Sequence, residues 1–155
     1  MRLWRLTRAP HAALDGEGAV PFGTRYAPAG HPLVSFASEP GLAVLVTLRY
    51  IPRDLADVVD DYVLGWTEIE ATALRIDDSA GEAAIRDQVA NWLARRTSLL
   101  AAVRSKVLPE ADVVMMNPRH PDAAGLRPLV LRPFSFVECL HTPPMLEAYE
   151  RGKQR

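Results

Sequence analysis

Arg25 and Tyr26 stand near the end of the stretch Gly16-Glu17-Gly18-Ala19-Val20-Pro21-Phe22-Gly23-Thr24-Arg25-Tyr26-Ala27-Pro28-Ala29-Gly30, and they are the neighbours best suited to chemistry. A guanidinium is a planar fork of donors that matches phosphate or carboxylate oxygens two at a time. The adjacent ring offers a face for stacking and a hydroxyl. Glycine frees the backbone for tight turns and close approach to a ligand, and proline stiffens the path between them. A loop with this composition holds its few large side chains in fixed directions. The stretch also reads as an ordinary surface loop with a solvated arginine, because it matches no glycine-rich phosphate motif.

The elements that must position this loop follow from composition and pattern. At 155 residues, 48% hydrophobic and 24% charged, the chain is long enough for one domain with a real core. A net charge of −1 argues against general nucleic-acid binding, which needs a basic footprint. The lone cysteine, Cys139, excludes an internal disulfide framework and a multi-cysteine metal site, and is expected to be a small buried residue. The first eight residues interleave charge with apolar side chains, unlike a secretory signal, and no window reaches the length of a membrane span. The expected location is the cytoplasm.

Strands are expected over 3–7, 32–37, 62–69, 98–105 and 112–117, with a last long one over 129–137 broken by Pro133. Ser38, Glu39 and Pro40 suit a helix start, and 41–50 is apolar enough to be a core helix. Ser79 and Glu82 have capping-box spacing and open a second helix over 83–95, with Ile85, Val89, Trp92 and Leu93 along one face. Residues 55–61 read as a turn or a short helical piece. Strands outnumber helices without regular alternation, which indicates an α+β fold. The organisation expected is one domain over 1–141 with a tail over 142–155.

Several ordered segments resemble the RES-domain toxins of bacterial toxin–antitoxin modules. They are Leu3-Trp4-Arg5, Asp15-Gly16-Glu17-Gly18-Ala19, Gly23-Thr24-Arg25-Tyr26, Gly30-His31-Pro32-Leu33-Val34, Trp92-Leu93, the run 98–105 with Val107 and Pro109, Asn117-Pro118-Arg119-His120-Pro121-Asp122, and Arg132-Pro133-Phe134-Ser135-Phe136. The resemblance implies a fold like that of ADP-ribosyltransferase toxins, with central split β-sheets and flanking helices. It implies NAD as the substrate, with no metal. The implied reaction is cleavage of the nicotinamide–ribose bond, with ADP-ribose passing to phosphate, water or a protein. The implied partner is a cognate antitoxin that blocks the active site, and contact with DNA would come through that partner.

Of the three residue types behind the family name, the arginine carries over to Arg25 and the serine to Ser105. The glutamate does not: its place within the apolar helix is taken by Val46, and Ser35 stands where a tyrosine is common. Glu39 and Glu68 are the alternative carboxylates considered. Arg25, Tyr26 and Ser105 are thus the catalytic candidates, and Arg25, Tyr26, Gly23, Thr24, His31 and Ser35 the candidates for holding NAD. From the residues alone, Tyr26 also fits core packing beside the loop, Ser105 a turn at a strand end, and His31, His120 and His141 loop or capping roles. Two other readings stay open: a transferase that modifies one specific protein, and a degenerate module that binds NAD or a partner without catalysis.

Overall fold

The computed structural model describes residues 1–140 and Gly152; the expected tail over 142–155 and His141 lie outside the described residues, Gly152 apart. The apolar runs read as strands form β1 (Arg2–Arg8), β2 (Val34–Ala37), β3 (Tyr62–Glu68), β4 (Ala73–Arg75), β5 (Leu100–Arg104), β6 (Asp112–Met116) and β7 (Val130–Pro133). The helices are α1 (Pro40–Leu48), α2 (Glu82–Arg95) and α3 (Phe136–Cys139). The strands join in one mixed sheet of order β4-β5-β6-β2-β1-β3-β7, in which β4 and β5 run parallel and every other pair antiparallel. This is the α+β fold expected. The split sheets expected are not found: β1 and β2 join the two halves into this one sheet through the register pair Trp4 with Ala37, because their pairing, though narrow, is continuous with both sides.

Period-two alternation sorts the strand residues onto two faces. Leu3, Val34, Phe36, Leu100, Ala102, Val114 and Met116 share one buried cluster. The opposite face divides. Ala101, Val103 and Met115 pack under Ile85, Val89, Trp92 and Leu93 of α2, the apolar stripe expected from sequence. Leu6, Ala37 and Leu64 pack under Leu42 and Ala43 of α1. Both helices therefore lie on one face and leave a gap between them. Ser35 pairs with Met115 of the first cluster and stands two residues before Ala37 of the second, yet it is exposed: it forms the floor of that gap.

Five further expectations need correction. Helix α1 is not a core helix: only Leu42 and Ala43 are buried, and Leu45 is 41% exposed, because α1 covers the sheet with one flank only. Ser38 does not cap α1; its Oγ accepts from the Asp112 amide at 2.9 Å and ties β2 to β6. No capping box opens α2. Gly81 occupies the cap with φ +88°, the Ser79 amide donates to Asp77, and Glu82 is turned elsewhere. The run 129–137 is not one strand. After Pro133 it becomes α3, started by Ser135, whose Oγ accepts from the Glu138 amide. Cys139 is exposed at the end of that short helix rather than buried. Strand β4 went unread because three residues carry too little periodicity.

Candidate active site

The loop before β2 is built on two glycines that no other residue replaces without strain. Gly16 has φ +74°, and a Cβ there would lie 2.6 Å from the Leu33 nitrogen and 3.0 Å from Pro118. Gly23 has φ +72°, and its Cβ would lie 2.7 Å from the Ala27 oxygen. Left-handed backbone and close approach of this kind are what glycine permits. After Gly23 the chain folds back on itself. The Thr24 amide donates to the Ala27 carbonyl at 2.8 Å, while Thr24 Oγ1 accepts from the amides of Tyr26 and Ala27. Gly23 and Thr24 therefore build the turn, and Arg25 and Tyr26 sit at its tip.

Tyr26 faces inward. Its side chain joins Ala19, Ala27, Leu33, Ile85 and Val89 in the core beneath α2, and only 5% of the residue is exposed. Burial pushes its phenol pKa up, against the pull of Arg25. The Arg25 guanidinium lies 5.6 Å from the centre of that ring, within cation–π range. Arg25 Nη2 and Nε donate to Glu82 Oε2 at 2.9 and 3.2 Å. Arg86, one turn further along α2, donates from Nη2 to Glu82 Oε1 at 3.1 Å and from Nε to the Arg25 carbonyl at 2.9 Å. The first turn and a half of α2 thus grips the loop tip by both side chain and backbone.

Ser105 follows the last residue of β5. It is 3% exposed, and its Oγ accepts from the amides of Val107 and Leu108 at 3.3 and 3.2 Å. That turn carries Lys106, whose Nζ stands 3.6 Å from Glu82 Oε2. The structure therefore brings Arg25, Tyr26 and the Ser105 turn to one place, the start of α2. Ser35 opens on the floor between α1 and α2. The far end of α1 is close as well, since the Arg49 charge, just past it, pulls against the upward push on the Tyr26 phenol.

Other candidates lie elsewhere. His31 lines a cavity of about 180 Å³ with Ala90, Leu93, Ala94, Asn117 and Arg119, at the last turns of α2. At about 1.5 Å per residue, that is on the order of 12 Å along the helix from Glu82. His120 caps the short 3-10 turn Pro121–Gly125 by accepting from the Asp122 amide, and Asn117 is buried, with its amide donating to the Leu93 carbonyl. Glu39 is exposed at the start of α1, opposite Arg49, and Glu68 is paired with Arg2 at 2.8 Å on the far rim of the sheet. Neither reaches Arg25. A wider recess of about 440 Å³, lined by Ile69, Glu70, Leu99, Asp122 and Leu126 among others, lies against the opposite face. It contains none of the candidates. Among the described residues, no group of three or more His, Cys, Asp or Glu side chains is placed to hold a metal ion.

The carboxylate at the site is Glu82, which sequence reasoning assigned to a helix cap. Its carboxyl is held below the usual range, first by the hydrogen bonds from Arg25 and then by the nearby charges of Arg25, Lys106 and Arg86. The only local signal was Arg86 at i+4; the partners that place Glu82 at the site, Arg25 and Lys106, lie 57 and 24 positions away in sequence.

A buried ring, an arginine presented on a glycine-built turn and an exposed serine between two helices form one candidate site, and comparison with other proteins narrows the class of protein that carries it. In a solved structure of the M. tuberculosis MbcT–MbcA toxin–antitoxin complex, one chain shares the fold, with a TM-score of 0.60 at 17% identity over 85% of this chain and 84% of that one. Toxin Res of Pseudomonas putida is 28% identical over 141 residues, covering 82% of this chain and 91% of that protein. The Prs ADP-ribosylating toxin of a Sphingobium species is 30% identical over 125 residues, covering 74% of this chain and 78% of that protein. The RES domain profile matches residues 2–137, and the chain belongs to the RES-domain family.

Proposed function

We propose that this RES-domain protein is the toxin of a toxin–antitoxin pair, and that it binds NAD and breaks the nicotinamide–ribose bond. The observation that carries the reading is Arg25, held over the buried Tyr26 ring on the Gly23 turn at the mouth of the α1–α2 cleft. The names of the relatives, one of them an ADP-ribosylating toxin, support it.

The chemistry asks little covalent help of the protein. The C–N bond to nicotinamide breaks, its electron pair neutralises the ring, and positive charge develops on the ribose carbon. The acceptor oxygen then bonds to that carbon and gives up its proton. By analogy with glycoside cleavage, the site must hold the sugar, stabilise the cation and direct the acceptor. Arg25 binds a phosphate oxygen of the dinucleotide, and the Tyr26 ring, buried beneath α2, anchors the turn and supports the guanidinium from below. The Ser105 hydroxyl accepts two backbone amides, which leaves its own proton to donate. Incubating the pure protein with NAD, with and without phosphate, and identifying the products tests the reading and names the acceptor. Failure to release any nicotinamide would remove the enzyme reading. ADP-ribose mass on one protein in a lysate would identify the specific transferase.

Val46 favours a second reading, a degenerate binding module. It sits partly buried on α1 in the cluster of Leu6, Leu42 and Ala43, so the family glutamate is absent from the cleft wall. Val46→Glu separates the two. Turnover that is present only in the variant makes the natural chain the silent form. Turnover in the natural chain, with a less stable variant, makes the position ordinary packing, since a buried unpaired carboxylate is costly.

A further inference from the structure

Three cations converge on one carboxylate where α2 begins. Arg25 and Lys106 reach Glu82 Oε2 at 2.9 and 3.6 Å, and Arg86 reaches Oε1 at 3.1 Å. They come from three separate parts of the chain: the glycine loop, the turn after β5, and α2 itself. Arg25 has a second use for its charge in the Tyr26 ring, but Arg86 and Lys106 have no such partner, and their side chains keep 57% and 50% of their surface exposed. Asp78, four residues before Glu82, has its carboxylate 3.9 Å from Arg104. A single carboxylate cannot balance three cations, so the group keeps an excess of two positive charges, carried largely on side chains that are half exposed.

The donors left over have a shape. Arg25 spends Nε and one hydrogen of Nη2 on Glu82, and Arg86 spends Nε on a carbonyl and Nη2 on Glu82, so among the described residues Nη1 of each guanidinium has no hydrogen-bond partner. Lys106, at 3.6 Å, is held by charge alone and can turn its ammonium to an incoming anion. Guanidinium forks match two oxygens at a time, and an ammonium serves as a point charge.

We infer that Arg25, Arg86 and Lys106 form a cradle for a diphosphate, with Glu82 as the internal counter-charge that aims Arg25. The inference rests on the NAD reading above and extends it: Arg86 and Lys106 take the bridging diphosphate of the dinucleotide, whose pair of negative charges matches the excess of two. Glu82 is a positioning residue. It holds the Arg25 guanidinium at the turn tip before the ligand arrives, which reduces the ordering cost of binding.

Calorimetric titration with inorganic pyrophosphate, NAD and nicotinamide riboside tests the cradle on the natural protein, Arg86→Gln and Lys106→Gln. Because Arg86 also holds the loop backbone, Lys106→Gln is the cleaner variant, and its melting temperature should match the natural protein. The expected result is that pyrophosphate and NAD both bind, and that each variant weakens both by roughly tenfold. Nicotinamide riboside, which has no phosphate, should respond to neither substitution. Undetectable pyrophosphate binding to the natural protein overturns the inference, as does unchanged affinity in Lys106→Gln. The two readings fail separately. Pyrophosphate binding that depends on Lys106, with no nicotinamide released from NAD, keeps the cradle and removes the enzyme. Nicotinamide release with unaltered NAD affinity in both variants keeps the enzyme and removes the cradle.

Discussion

Glu82 Oε2 accepts two hydrogen bonds from Arg25, from Nη2 at 2.9 Å and from Nε at 3.2 Å, and so joins the start of α2 to the tip of the glycine loop. Both side chains are about a third exposed or less, at 27% and 34%. A pair open to solvent to this degree contributes little to stability, so its main consequence is orientation.

Arg25→Ala should therefore leave the fold intact and weaken NAD binding. Losing charge-assisted hydrogen bonds to a phosphate costs about 1.5–3 kcal/mol. Arg25→Lys should recover only part of this, because an ammonium lacks the fork that engages Glu82 and a phosphate together. Calorimetry with NAD checks both variants. A dissociation constant unchanged in Arg25→Ala would take Arg25 out of the site.

The Glu82 carboxyl has a folded pKa below its ordinary value of 4.5, with the Arg25 hydrogen bond as the first cause. Its contribution to stability is therefore fully present above that value and is lost as pH falls through the lower folded pKa. Unfolding curves measured from neutral pH down to about pH 3 should show a smaller acid loss in Glu82→Gln than in the natural protein. Identical pH profiles would show that the pair is too solvated to register. Asp61, paired with Arg8 at 2.7 Å, shifts in the same direction and serves as the comparison.

Gly23→Ala should damage the site through the backbone. The position has φ +72°, and the new Cβ would sit 2.7 Å from the Ala27 oxygen, inside any normal contact. A loss of more than about 1 kcal/mol is expected in thermal or urea unfolding. NAD binding should fall with it, because Thr24 to Ala27 present Arg25. Gly30→Ala is the control. It also has positive φ, at +87°, but nothing stands within 4 Å of its Cβ, so strain without a clash should cost less.

An antitoxin that silences the protein does so most simply by filling the cleft, and an acidic side chain or terminal carboxylate there would suit Arg25. NAD or ADP-ribose should then weaken binding of the cognate antitoxin, because ligands that share one site exclude each other. A co-structure with Arg25 still facing solvent and the cleft open would count against this arrangement.

The sequence by itself determined the parts of this protein that depend on neighbours along the chain. The stripe of Ile85, Val89, Trp92 and Leu93 announced α2 and its buried face, and all four are buried in the structure. Apolar runs rich in β-branched and aromatic residues announced most of the strands, and the density of glycine marked the loop that carries Arg25 and Tyr26. The ordered segments from Leu3 to Phe136 were enough to point to the RES-domain family, whose profile matches. What only the tertiary structure decided is who meets whom. Glu82 had a plausible local role as a helix cap, and it is taken from that role by an arginine 57 positions earlier. Ser38 was likewise drawn from its helix to the Asp112 amide, 74 residues away. The 41–50 run was apolar enough for a core, yet it lies on one face of a sheet whose other neighbour is α2, so its outer flank remains exposed. Local propensities are worth only tenths of a kcal/mol to about one, so a partner across the fold can override them, and such a partner is visible only when the sheet has brought the two segments together.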